Sequence, residues 1–205
     1  MPNLTPQQFK KAINEFLSDP SQGLKASAPQ PPNLDARIDV LCERISDMSL
    51  PPLKKLELIY EFWDVSTRFY KKYASCKKGC SACCYFDVQI TEIEAQHITF
   101  KTGKKHTQPS QALLTGHTKA CPFLEKNGAC GVYFARPLAC RSLHAFGPSH
   151  LCESESENQI SIGHAWTQNP NDPLLISLRL IDSYISPVSS SKDIRQYFPY
   201  RNKSL

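Results

Sequence analysis

The chain has 205 residues, enough for one domain with a real core, or for one domain with a helical extension. Charged residues make up 21% and hydrophobic ones 40%, and no apolar run approaches the roughly 18 residues of a membrane span. The net charge of +5 is too small to argue for nucleic acid, and nine cysteines in a chain this long exceed what folding needs without matching the density of a disulfide-built scaffold.

Taken in chain order, Thr5 and Gln8 form a capping box with Pro6 at the first helical position. Phe9, Ala12, Ile13, Phe16 and Leu17 follow at helical spacing, which predicts a helix over 6–18. Residues 20–33, with Pro20, Pro29, Pro31, Pro32, Gly23 and several Ser and Gln, read as an extended linker. The division expected is an N-terminal helix plus linker over 1–33 and a cysteine-bearing domain over 34–205. A second helix is predicted over 35–48, with Ile38, Leu41, Ile45 and Met48 on one face. Cys42 shares that face and reads as a core thiol. After Pro51-Pro52 a long amphipathic helix runs to Tyr73, its stripe of Leu56, Ile59, Phe62, Trp63, Phe69 and Tyr73 reading as core.

The cysteines then arrive in two blocks. The first is Cys76-Lys77-Lys78-Gly79-Cys80-Ser81-Ala82-Cys83-Cys84. Four thiols in nine residues is a metal-ligand density. On a helix they would lie on one face over about 12 Å of axis, too long a row for one ion. Either the chain wraps at Gly79 or more than one metal atom is held. A Cys83–Cys84 disulfide is disfavoured, because adjacent Cα atoms sit about 3.8 Å apart, below the usual disulfide range.

Phe86, Val88 and Ile90 alternate as in a short strand. Thr91 and Glu94 make a second capping box, opening a helix that ends near Gly103; the cap explains Glu94 better than an acid–base role. In the second block, Asn127-Gly128 marks a hairpin turn that brings Cys121 and Cys130 near one another. Arg136-Pro137 opens a short helix carrying Cys140 and Arg141, and Cys152 follows a loop containing His144 and His150. Either histidine is an alternative to Cys152 as a ligand. Arg136 and Arg141 either neutralise a thiolate–metal centre or pair with nearby carboxylates. Asp172-Pro173 starts a last long helix over 173–186, and residues 186–205 read as a short helix and a tail.

The Cys80-x2-Cys83-Cys84 block, the Cys121-Pro-Phe-Leu run and the Cys130-x-x-Tyr133-x-x-Arg136-Pro137-x-x-Cys140-Arg141 run resemble the YkgJ-type cysteine-cluster proteins, also called the CxxCxxCC zinc- or iron-chelating domain. The likeness covers residues 76 to about 145. One departure is that three residues, Lys77, Lys78 and Gly79, fill the first gap where the family name writes two. The resemblance implies a bacterial cytosolic protein holding zinc, iron or an iron–sulfur cluster through these cysteines. A related cysteine cluster occurs in the much larger flagellin lysine methylases.

The expected fold is α+β, mainly helical, around a small irregular cysteine-rich metal-binding core with short β-strands. The helices at 35–48, 53–73 and 173–186 are expected to pack around that core. The expected metal ligands are Cys76, Cys80, Cys83, Cys84, Cys121, Cys130, Cys140 and Cys152. Thiolate donors suit zinc and iron–sulfur clusters and argue against magnesium or calcium. The compact first block places an iron–sulfur cluster with a redox or electron-transfer role ahead of zinc. A zinc-stabilised interaction module and a metal-dependent protein-modifying enzyme are the alternatives, and the sequence carries no glycine-rich nucleotide loop or nucleophile–base constellation for the latter. The N-terminus has no basic segment followed by an apolar one, so a reducing cytoplasm is expected. A protein partner would meet the basic patch of Lys71, Lys72, Lys77 and Lys78, or the N-terminal helix; no membrane or nucleic-acid partner is expected.

Overall fold

The computed structural model describes residues 4–19, 31–77, 79–110, 112–146, 152 and 191–200. Helix α1 spans Pro6–Ser18, and its capping box closes through Gln8 N–H to Thr5 Oγ1 at 3.3 Å and Thr5 N–H to Gln8 Oε1 at 2.8 Å. Its Phe9 and Ile13 are wholly buried. Phe9 meets Phe146 edge-on at 5.2 Å and Tyr73 at 6.0 Å. Helix α2, Leu34–Ser46, adds Leu34, Ile38, Leu41 and Ile45 to the same cluster, with Cys42 partly buried against it. Met48 departs from expectation and is 85% exposed. The cause is local: Asp47 accepts hydrogen bonds from the Ser49 N–H and hydroxyl, an Asx turn that takes the chain out of the helix two residues early.

Helix α3, Pro52–Tyr70, is the wall of the molecule. Ile59, Phe62, Trp63 and Tyr70 face the α1–α2 cluster, while Leu56 and Tyr60 pack with Ile93 on the other side. The chain leaves α3 through a turn in which Tyr73 and Ala74 both donate to Tyr70 O, and Tyr73 stays buried. The strand expected from Phe86 reduces to β1, Gln89–Ile90. Its antiparallel partner is β2, Lys192–Asp193, with Gln89 opposite Asp193 and Ile90 opposite Lys192. Helix α4, Glu92–Thr102, carries the predicted Thr91–Glu94 box and ends at Gly103. Two 3₁₀ turns, Ala82–Tyr85 and Tyr133–Ala135, precede the short helices α5, Leu138–Ser142, and α6, Ile194–Tyr197.

A second apolar cluster joins Val88, Ile90, Ala95, Ile98, Phe123, Val132, Ala135, Ile194, Tyr197 and Phe198, and Cys121, Cys130 and Cys140 line it. The fold is thus mainly helical α+β with a two-stranded sheet and a cysteine-rich region. Helix α3 touches α4 and α5 on the thiol side, whereas the buried face of α2 belongs to the first cluster and not to the one the thiols line. The helix predicted over 173–186 lies outside the described residues. Among the described residues no helix is long and apolar enough to cross a membrane.

Buried polar groups tie α3, α4 and α5 together. Glu94 Oε2 accepts from Thr91 N–H to close the cap of α4. Its Oε1 accepts from Tyr60 O–H at 3.1 Å and from Leu138 N–H at 2.8 Å, so the same carboxylate also caps α5. Arg141 forks onto Asp64 at 2.6 and 2.7 Å, lies 4.2 Å above the Tyr60 ring, and donates to Phe134 O and Arg136 O. Replacing Glu94 by Ala leaves four donors, the Thr91 hydroxyl included, without their acceptor and should cost roughly 3 kcal/mol or more in a urea titration. E94Q, which keeps an acceptor, should cost less.

His97 is buried beside Tyr60, and burial brings its pKa down to about 4 from the ordinary 6.5. Below pH 6.5 the unfolded chain therefore binds a proton that the folded chain refuses. This contribution is fully present above pH 6.5, is lost as the pH falls, and levels off below about 4. The stability difference between the native chain and H97F should change across that window by roughly 1.4 kcal/mol per pH unit. Urea midpoints measured from pH 7.5 to 4.5 check this.

Candidate metal centre

Each cysteine is placed by a local backbone device. Ser75 N–H donates to Ala145 O at 2.7 Å, and Ala145 N–H donates to Cys76 Sγ at 3.3 Å, fastening the first block to the strand of chain behind α5. Gly79 turns the chain at φ 87, a left-handed conformation that glycine adopts without strain, and Cys80 N–H closes the turn onto Lys77 O. The 3₁₀ turn Ala82–Tyr85 then presents Cys83 and Cys84. The first block therefore wraps at Gly79 and is not one continuous helix.

The second block folds as the predicted hairpin, with Leu124 and Cys130 bridged antiparallel across the Asn127-Gly128 turn. It docks on the first block at two points. Cys121 N–H donates to Cys84 O at 2.6 Å, and a Cβ at Gly128 would meet Gly79 O at 3.2 Å. Helix α5 brings Cys140 in from the α3 side.

The thiols converge electrostatically. Cys84 feels Cys121, Cys130 and Cys140. Cys140 feels Cys121, Cys83 and Cys130, and Cys76 feels Cys80 and Cys83. Five thiols from three segments (Cys83, Cys84, Cys121, Cys130 and Cys140) therefore form an inner set, which Cys83 joins to the outer pair Cys76 and Cys80. The outer thiols and Cys83 are exposed, and the other four are half-buried. Cys152 is half-buried, with its sequence neighbours outside the described residues.

Hydrogen bonding between Cys83 and Cys84 holds the Cys84 thiol below its ordinary range and pushes that of Cys83 far above it. Burial raises Cys121 to about 11 and lifts Cys130 and Cys140 as well. The neighbouring thiols add to this by like-charge repulsion. Arg136 opposes it: its guanidinium lies 3.9 Å over the Tyr133 ring and lowers Cys83, Cys130 and Cys140. Arg141 pairs with the Asp64 carboxylate, whereas the charge of Arg136 acts on the thiols themselves. His144 is buried, its pKa lowered by burial, and its Nδ1 lacks a hydrogen-bond partner; His150 lies outside the described residues.

The donor set fits zinc or iron. Soft sulfur donors converge from several segments, and ionising them together is costly unless a cation sits among them. Among the described residues, however, no three thiol sulfurs lie within 4.8 Å of one another; the trio that does is Asp87, His117 and Asp193. That trio is a clasp. The Asp87 oxygens accept from Gly116 N–H and His117 N–H, and the Asp193 oxygens accept from Val88 N–H, Arg195 N–H and the Arg195 guanidinium. The sequence reading missed these residues, although Asp193 followed by Gln196 is a legible capping box that signalled an ordered C-terminal element.

No curated protein and no solved structure matches the chain. Residues 75–162 match one family, described as "CxxCxxCC: Putative zinc- or iron-chelating domain", and this stretch holds all eight candidate ligands. The resemblance carried by the cysteine spacing thus has its counterpart in a family match over residues 75–162, the stretch that carries both cysteine blocks.

Proposed function

We propose that the inner set of Cys83, Cys84, Cys121, Cys130 and Cys140 holds an iron–sulfur cluster, with Cys76 and Cys80 completing its solvent side and Cys152 available as a further ligand. The observation that carries this reading is the spacing of the sulfurs. They interact mutually, yet no three are within 4.8 Å of one another. A single zinc with bonds of about 2.3 Å gathers its sulfurs at roughly 3.8 Å from one another, whereas a cluster of several iron atoms accepts a wider ring. More thiols converge than one tetrahedral ion uses, which points the same way.

A bound cluster supplies one-electron transfer, and the chain supplies its insulation and its access. Cys121, Cys130 and Cys140 back onto the second apolar cluster, while Cys76, Cys80 and Cys83 face solvent. Lys77, next to Cys76, is exposed, as are Lys71 and Lys72 shortly before the first block, charges suited to an acidic redox partner. Thiol ligation also requires a reducing compartment, which makes the cytoplasm the proposed location.

Anaerobic purification followed by absorbance, iron, sulfide and zinc analysis tests the reading. The expected protein is coloured and carries iron with acid-labile sulfide. C83S and C140S should each lose at least half of the bound metal together with thermal stability, and C80S a smaller share. Unchanged metal content in all three variants would sink the assignment. A colourless chain with one zinc, unfolded by chelators, would replace it with the zinc-stabilised module.

A further inference from the structure

Residues 191–200 contain no cysteine and lie beyond the matched stretch, yet they are stitched into the centre. The hub is Arg195, 6% exposed, on α6. Its Nε donates to Lys119 O at 2.9 Å. One terminal nitrogen donates to Cys84 O at 3.0 Å, and the other to Phe86 O at 3.2 Å and to both Asp193 oxygens at 3.1 Å. One planar fork thus ties Cys84 O, at the end of the first block, to the carbonyls of Phe86, just after it, and Lys119, two residues before Cys121. Cys84 O is shared, since it also accepts from Cys121 N–H. Asp193 cancels most of the guanidinium charge at 3.1 Å, so geometry rather than net charge is what Arg195 brings.

The rest of the segment reinforces this placement. Ile194 N–H donates to Val88 O, Thr107 is bonded to Gln196 O and Tyr197 O, and the Gln196 side chain bridges Leu114 N–H and Ala112 O. Val88, Thr107, Ala112, Leu114 and Lys119 are thus all held from the same ten-residue stretch.

We propose that Arg195 is a positioning residue of the metal centre: by bridging Cys84 O, Phe86 O and Lys119 O it fixes the separation of the loops that carry Cys84 and Cys121. Segment 191–200 is thereby part of the metal-binding unit. This rests on the metal-centre reading above. Lysine keeps the charge but, as a single point donor, cannot span three carbonyls. By linkage, if the docked segment favours metal, metal must favour the docked segment to the same degree.

The test uses the full chain purified anaerobically with its metal. Release of metal to excess EDTA is followed by absorbance and elemental analysis for the native protein, R195K and R195Q. Release at least tenfold faster in both variants, with a shifted absorption spectrum in the fraction that retains its fold, is the expected result. Native release and spectrum in folded R195Q, or full rescue by R195K, overturn the proposal. If the variants do not fold, hydrogen exchange of the native chain decides: amides of 191–200 should exchange more slowly with metal bound than after its removal, and equal rates overturn the proposal. A native chain that carries no metal fails separately, removing the metal-centre reading on which this one stands.

Discussion

Five thiols within electrostatic reach of one another can ionise together only against positive charge, and this cost shapes the cysteine half of the molecule. Burial alone lifts Cys121, Cys130 and Cys140, and each ionised neighbour lifts them further. Arg136 supplies one fixed cation, and the Cys83–Cys84 contact leaves a single thiol, Cys84, easier to ionise than usual. A metal bound among the thiols, as proposed above, would supply the remainder. A cluster core of charge +2 held by four thiolates would contribute a net −2 and take the net charge from +5 to about +3.

Such a site needs rigid support, because thiols that repel one another would otherwise spread. Support comes from α3, whose two faces serve two cores: Trp63 and Ile59 close the α1–α2 side, while Tyr60 and Asp64 reach the α4–α5 side. Glu94 and Arg141 convert that wall into a frame for α5, and hence for Cys140. A charged pair with one partner half exposed adds little stability by itself. Its effect here is placement, since the Arg141 fork has one orientation that meets Asp64 and two backbone carbonyls together.

How much of this could be read in the sequence follows from the range of the interactions. Capping boxes at Thr5 and Thr91, the Asn127-Gly128 turn and the helical stripe of α3 depend on residues within a few positions of one another, and all were legible. The partner of β1 was not, because Lys192 and Asp193 lie about a hundred residues away and a two-residue strand has no periodicity. Met48 continued a helical pattern that the Asp47 turn interrupts. The second role of Glu94 and the reach of Arg195 were also hidden. Each depends on carbonyls and amides brought together only by tertiary folding, and backbone groups leave no mark in composition.

The three-residue gap between Cys76 and Cys80, where the family pattern writes two, has a physical reading. A left-handed residue is needed to turn the block back on itself, and Gly79 provides it at φ 87. At that turn Gly79 O lies so near the hairpin tip that a Cβ on Gly128 would meet it at 3.2 Å, while Gly128 is itself left-handed at φ 78. Two glycines thus let the first block and the hairpin approach backbone to backbone. Cys80, the residue after Gly79, is exposed, apart from the half-buried Cys121, Cys130 and Cys140 that the hairpin and α5 carry.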